Sequence, residues 1–200
     1  MDRISRVYLV RHGQVVDHDR YRANGHTDVH INEVGKEQME FLAERLRLTR
    51  IQALFSSDLT RTVVGARIIA RHHDVTHRIL SELRELYFGE WEGLSLSRIQ
   101  KEYPGELDRR QSDIPGYRPP GGGESIYDLS QRVLACYRDI LKEQEGKDIL
   151  IVAHGAVNRV ILCNALGLDL SNLFRLQQNY GCLNIIDYFP DHAVVQLING

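Results

Sequence analysis

Two apolar runs near opposite ends of the chain stop in the same way. Val7-Tyr8-Leu9-Val10 gives out at Arg11-His12-Gly13, and Asp148-Ile149-Leu150-Ile151-Val152-Ala153 gives out at His154-Gly155. Runs this short, apolar at consecutive rather than alternate positions, read as strands covered on both faces, the pattern of a parallel sheet between helices. Between them, Asn32 stands as an N-cap before Met39, Leu42, Ala43 and Leu46, whose spacing predicts a helix over 33–47. Ala53-Leu54-Phe55-Ser56 reads as another strand, followed by a helix capped by Ser57 or Asp58, with Thr62, Ala66, Ile69 and Ala70 inward and Arg61 in its first turn. Ile126, Leu129, Val133, Cys136 and Ile140 mark a long helix over 125–143; a further helix begins near Ala156 and stops at Gly167. Segments 182–189 and 193–198, joined across Pro190-Asp191-His192, read as a hairpin.

The order predicts a three-layer α/β/α fold with a mainly parallel sheet and antiparallel C-terminal edge pairing. Its rhythm breaks over 87–123, a stretch rich in Gly, Pro and charge with one short helix at 95–102. That stretch is expected to be a lid-like insertion over the active site of a single domain spanning 1–200. Composition excludes several classes of function. With 25 Lys plus Arg against 27 Asp plus Glu, the net charge is -2. No global positive field exists to hold nucleic acid or an anionic membrane, so any anion site must be local. The start, Met1-Asp2-Arg3-Ile4-Ser5-Arg6, is too polar for a signal peptide, and no apolar run approaches membrane-spanning length. Cys136, Cys163 and Cys182 form no CxxC pair, which fits buried, inert thiols in a reducing cytoplasm.

In open α/β sheets ligands bind beyond the carboxyl ends of the strands, so two strands ending in His-Gly aim His12 and His154 at one place. The glycine after each histidine is expected to allow a tight turn and close approach to a ligand. Arg11 and Arg61 add guanidinium groups that can each grip two oxygens, and a helix start favours anions; the set asks for a phosphate dianion. A neutral imidazole is also a nucleophile near pH 7, able to attack phosphorus. Departure of the alkoxide then needs a proton donor, and Glu85, in Leu83-Arg84-Glu85-Leu86, is the carboxylate best placed in sequence.

These residues, with Asn24-Gly25-His26-Thr27-Asp28, Ile31-Asn32-Glu33-Val34-Gly35, Ser56-Ser57-Asp58-Leu59-Thr60-Arg61-Thr62, Phe88-Gly89-Glu90-Trp91-Glu92-Gly93 and Gly123-Glu124-Ser125, make the chain resemble the histidine phosphatase superfamily. The resemblance covers nearly the whole length. It is to the branch containing cofactor-dependent phosphoglycerate mutases, fructose-2,6-bisphosphatases and α-ribazole phosphatases. It implies that His12 is phosphorylated, that Arg11, Arg61 and His154 bind the phosphoryl oxygens, that Glu85 donates the proton, and that Asn24 adds a polar contact. It also implies that neither metal nor cofactor is needed, the arginines neutralising charge. Where many relatives carry asparagine six positions after the nucleophile, this chain has His18, still able to donate one hydrogen bond to the phosphate; Gln14 replaces a common acid.

The reaction expected is phosphomonoester hydrolysis through phosphohistidine on a small phosphorylated metabolite, with α-ribazole 5'-phosphate among the substrates. One alternative is a phosphoglycerate mutase, with Arg109-Arg110 faintly similar to a mutase segment; against it stand Arg84-Glu85-Leu86, Gly93-Leu94-Ser95-Leu96 and an end at Gly200 that leaves no shielding tail. The other is a non-catalytic member of the fold that binds phosphate ligands. Several conspicuous residues carry plainer readings. Trp91 packs the insertion onto the domain, His72, His73 and His77 form a solvated helix end, and Gly121-Gly122-Gly123 is a loop tip. Arg98, Lys101, Arg109, Arg110 and Arg118 either steer an anion or form a wet surface.

Overall fold

The computed structural model describes residues 3–18 and 22–200, so Met1 and Asp2 at the head of the polar start lie outside it. Six described strands form one sheet in the order β3-β2-β4-β1-β5-β6. At its centre β1 (Ser5–Arg11) runs parallel to β4 (Asp148–Ala153); β2 (Ala53–Ser56) joins β4 in parallel, and β3 (His77–Ile79) joins β2. On the other side β5 (Leu183–Tyr188) pairs antiparallel with β1, and β6 (Ala193–Leu197) pairs antiparallel with β5. The expected parallel sheet with an antiparallel edge is thus the architecture observed.

Alternation along the central strands divides the core into two layers. Val7, Leu9, Ile149 and Ile151 face Leu129, Val133, Tyr137, Val157 and Ile161 of α5 (Ile126–Glu143) and α6 (Gly155–Leu166). Tyr8, Val10, Leu150 and Val152 face Met39, Leu42, Ala66 and Ile69 of α1 (Glu33–Leu46) and α2 (Thr60–Ala70). Both faces are covered, which explains why these strands read as continuous apolar runs.

Some local expectations needed correction. The amide at the start of α2 is capped from 32 residues away: Asp28 accepts from Thr60 N at 2.7 Å and from Thr60 Oγ1, while Ser57 turns inward and Asp58 pairs with Arg84. Strand β3 was not foreseen, having three residues of which one is a histidine and one an arginine. Segment 87–123 holds two helices rather than one, α3 (Leu96–Glu102) and α4 (Glu106–Ser112); the second has no buried residue and so no apolar period to betray it. Trp91 is buried in this segment, stacked on Tyr117 with ring centroids 5.6 Å apart. Among the described residues no helix is long and apolar enough to cross a membrane.

Candidate active site

The parallel register Arg11↔Ala153 makes His12 and His154 the next residues beyond two neighbouring strands. The ladder continues one step further, His12 N donating to Ala153 O at 3.1 Å, and the two imidazole centroids lie 5.2 Å apart. Gly13 is required for a reason other than ligand approach: a Cβ there would lie 2.2 Å from the carbonyl oxygen of Gly35, so the turn packs backbone to backbone against the start of α1.

Nδ1 of His12 lies 2.8 Å from Gly13 O, which assigns that nitrogen the proton and leaves Nε2 with its lone pair. The ring is nearly inaccessible, and burial, reinforced by the charges of Arg61 and Arg11, pushes its pKa well below the ordinary histidine value. His154 is wholly buried, and burial with Arg61, His12 and Arg11 lowers it in the same direction. Its Nδ1 accepts from Arg61 Nε at 3.3 Å, so Nε2 carries the proton and donates to Ser57 Oγ at 2.8 Å.

An inner cavity of 160 Å³ is lined by Arg11, His12, Val15, Arg22, Asn24, Val29, Arg61, Glu85, Phe88 and Tyr180. It adjoins an outer cavity of 680 Å³ with which it shares Arg11, Val15, Arg22, Asn24 and Tyr180, and which adds Asp17, His18 and Leu96. Five of the seven residues expected at the site, His12, Arg11, Arg61, Asn24 and Glu85, therefore share one small chamber. The remaining two differ from expectation. His154 does not line the chamber and has both ring nitrogens engaged, so as placed it orients Arg61 instead of offering an N–H to a ligand. His18 is exposed and borders only the outer cavity.

The two arginines are also unequal. Arg61 is 1% exposed and spends most of its donors on the backbone: Nη1 to Thr27 O at 2.8 Å, Nη2 to Gly25 O at 2.5 Å and Asn24 O at 3.2 Å, besides Nε to His154. One Nη1 hydrogen remains, short of the two-pronged grip expected of it. Among the described residues Arg11 commits one side-chain bond, Nη1 to Gln178 O at 2.5 Å, and Arg22 likewise one, Nη1 to Gly93 O at 2.6 Å, so both keep Nη donors that can meet an anion. The guanidinium carbon of Arg11 lies 4.0 Å from the centroid of the Tyr180 ring. Glu85 extends to the start of α6, where Ala156 N lies 3.2 Å from Oε2 and 3.3 Å from Oε1.

Partly buried hydrogen bonds cross-link the loop above this chamber. Glu92 accepts from His26 N, Thr27 N, Thr27 Oγ1 and Phe88 N, and Ala23 exchanges backbone bonds with the turn at 93–94, donating to Leu94 O and accepting from Gly93 N. By contrast the basic residues of 87–123 do not converge on the site. Arg98, Arg109 and Arg118 pair with Glu102, Glu106 and Asp128, and Arg110 lies over Phe174. His72 meets Glu44 and His77 meets Ser56, so these two histidines have separate surroundings.

The histidine phosphatase superfamily (branch 1) profile matches residues 7–200. The chain belongs to that superfamily. It is 34% identical over 197 residues to Bifunctional protein Rv2228c of Mycobacterium tuberculosis, covering 98% of this chain and 54% of that protein, so the chain spans about half the length of this curated relative. Among solved structures, a mycobacterial glucosyl-3-phosphoglycerate phosphatase complexed with VO3 superposes with a TM-score of 0.86 at 25% identity, covering 100% of both chains. The alpha-ribazole phosphatase of Shigella flexneri, at 24% identity and TM-score 0.89 over 98% of this chain and 96% of that one, shares the fold.

Sequence reasoning missed Tyr180, Arg22, Phe88 and Ser57. Ser57 stood inside a recognised motif but was read as a helix cap. Tyr180 and Arg22 lie on loops with no periodicity to single them out.

Proposed function

We propose that the protein is a phosphomonoester hydrolase that transfers the phosphoryl group of a small metabolite to His12 and then to water. The observation that carries this reading is the His12 imidazole: held neutral by burial, protonated at Nδ1 by its bond to Gly13 O, and lining the chamber beside Arg11 and Glu85. Nε2 attacks phosphorus, the P–O bond to the leaving group breaks, and Glu85 delivers a proton to the departing oxygen. Water then attacks phosphorus and gives a proton to Glu85, the bond from phosphorus to His12 Nε2 breaks with its electron pair returning to the imidazole, and inorganic phosphate is released. Arg11 meets the phosphoryl oxygens with the Nη hydrogens it does not give to Gln178, Asn24 lines the same wall, and Arg61 adds one N–H while His154 holds it in orientation.

A chamber of 160 Å³ suits a phosphoryl group, and the outer 680 Å³ receives the alcohol. Val15, Leu96 and Tyr180 alternate there with Arg22, Asn24 and His18, walls that suit α-ribazole 5'-phosphate and sugar or glycerate phosphates. The setting proposed is the cytoplasm, in keeping with three free thiols. The test is phosphate release in EDTA by wild type and His12→Ala over α-ribazole phosphate, sugar phosphates, para-nitrophenyl phosphate and 3-phosphoglycerate. His12-dependent release is expected, with phosphoenzyme lost and turnover down roughly 10⁴-fold or more in the variant. Turnover retained by His12→Ala overturns the nucleophile assignment. No release, but isomerisation of phosphoglycerate after priming with a bisphosphoglycerate, replaces hydrolase by mutase.

A further inference from the structure

The segment that carries Glu85 has little regular structure of its own. Residues 80–88 leave the end of β3, make one short helical turn at Ser81–Leu83 and run on into 87–123. From one side Leu83 and Leu86 pin it, both buried in the core beneath α5 and α6. On the other side its carbonyl groups face a single side chain. Arg132 of α5 donates from Nη1 to Glu82 O at 2.7 Å and Arg84 O at 3.1 Å, and from Nη2 to Glu85 O at 3.5 Å. Its remaining hydrogens go to one carboxylate, Nε to Glu124 Oε1 at 2.9 Å and Nη2 to Glu124 Oε2 at 2.7 Å. All five guanidinium donors are then spent. Glu124 closes the clamp on the far side, accepting from Tyr87 N at 3.0 Å and donating its own N–H to Tyr87 O at 2.9 Å.

We infer that Arg132 is a positioning residue for the proton-transfer step, acting through the backbone on either side of Glu85; the inference rests on Glu85 being the proton donor proposed above. The clamp is anchored to the most rigid part available, an 18-residue helix whose start is fixed by a reciprocal capping box between Ser125 and Asp128. Among the described residues the Glu85 carboxylate is hydrogen-bonded to Leu86 N and the Ala156 amide at 3.2 Å, both backbone groups, so it is aimed mainly by the backbone beneath it. A displacement of about 1 Å at that backbone is enough to spoil proton delivery. Lysine would not replace the arginine fully, because a point charge cannot span a carboxylate and three carbonyl groups at once.

The experiment compares wild type, Arg132→Met, Arg132→Lys, Glu124→Gln and Glu85→Gln on an alkyl phosphate and on para-nitrophenyl phosphate, whose leaving group needs little protonation. Arg132→Met is expected to lower kcat on the alkyl phosphate roughly 30-fold with KM little changed, and on para-nitrophenyl phosphate less than about 3-fold. Arg132→Lys and Glu124→Gln should show the same contrast at smaller size, which keeps the test alive if Arg132→Met fails to fold. Adding Glu85→Gln to any clamp variant should cost less than Glu85→Gln costs wild type. Equal losses on both substrates, or full additivity with Glu85→Gln, would overturn the inference. Trapping of labelled phosphoenzyme on wild type reports on the underlying reading separately. Its absence removes His12 as nucleophile, whereas its presence with equal losses removes only Arg132.

Discussion

The floor and the roof of the chamber are built by different physics. The floor is the pair of strand ends carrying His12 and His154, fixed by the ladder between β1 and β4 and covered by helices on both faces, so that residues 149–153 have no exposure at all. Its position follows from hydrophobic burial and strand register, both of which are nearly continuous with the core. The roof is made by residues 22–29 and the segment beginning at 87; the second piece has buried apolar side chains in Trp91 and Ile99, the first is held mainly by polar bonds. It is tied down by side chains that reach backbone groups far away in sequence: Arg61 to the carbonyls of 24, 25 and 27, Glu92 to the amides of 26 and 27. A hydrogen bond network largely shielded from water in this way specifies one arrangement when complete and weakens sharply when one member is removed. The floor should therefore tolerate conservative change better than the roof.

Arg61 sits on the seam and offers the most severe way to break the contrast. Arg61→Ala leaves three loop carbonyls and His154 Nδ1 without donors and withdraws a positive charge from the chamber. The expected loss is about 2–5 kcal/mol in kcat/KM, the cost typical of leaving a buried charged or polar partner unpaired. Lysine should rescue little of it, since no lysine can reach Thr27 O and Gly25 O while donating to His154. A change below threefold in kcat/KM would show that the roof does not depend on this residue.

Glu92→Gln tests the roof without touching the floor. The carboxylate takes four hydrogen bonds from backbone and hydroxyl donors, and an amide can accept at only one of its two ends. Stability should fall by about 1–3 kcal/mol in a urea titration, with KM rising more than kcat falls because the wall above the alcohol loosens. An unchanged unfolding midpoint would mean that the loop is held by its packing instead.

The same division decides what could be read in the sequence. The floor was legible: apolar runs ending in His-Gly, a strand followed by Arg61, and the helix periodicity of 126–140 all follow from local pattern, and the family resemblance assembled them in order. The roof is legible only as blocks that carry the family resemblance, because most of its bonds join residues 30 to 70 apart. Nothing near Ser57 says that its hydroxyl turns toward His154, leaving α2 to be capped by Asp28. Helix α4, with no inward face, and the three-residue β3 lack the periodicity on which pattern reading depends.

The floor also has a pH signature of its own. Unfolded, an imidazole takes up its proton near pH 6.5, whereas His12 and His154 are held neutral well below that value, first by burial and then by the neighbouring guanidinium groups. Below about pH 6.5 the unfolded chain binds protons that the folded chain refuses. Stability from this source is complete above that pH and falls as the pH drops below it, by up to about 1.4 kcal/mol per pH unit for each imidazole. His154→Gln should remove one histidine's share of that slope in unfolding curves measured between pH 5 and 7. The acid limb of kcat/KM should likewise lie below pH 6.5, and a limb above it would contradict the neutral, buried nucleophile.

The smallest effect expected is at His18, which the family resemblance would put at the phosphate. Were this residue part of the phosphate grip, its replacement by asparagine would change the affinity for every phosphomonoester alike. It is instead exposed and borders the outer cavity, while the inner chamber is closed by Arg11, Asn24, Arg61 and Tyr180 without it. His18→Asn should therefore alter kcat/KM for para-nitrophenyl phosphate by less than about threefold, in keeping with an exposed residue outside the reacting centre. Substrates whose alcohol fills the outer cavity should respond more than those that leave it empty, and in KM more than in kcat. A uniform loss across substrates would bring His18 into the phosphate site and extend the floor's chemistry into the loop after the nucleophile.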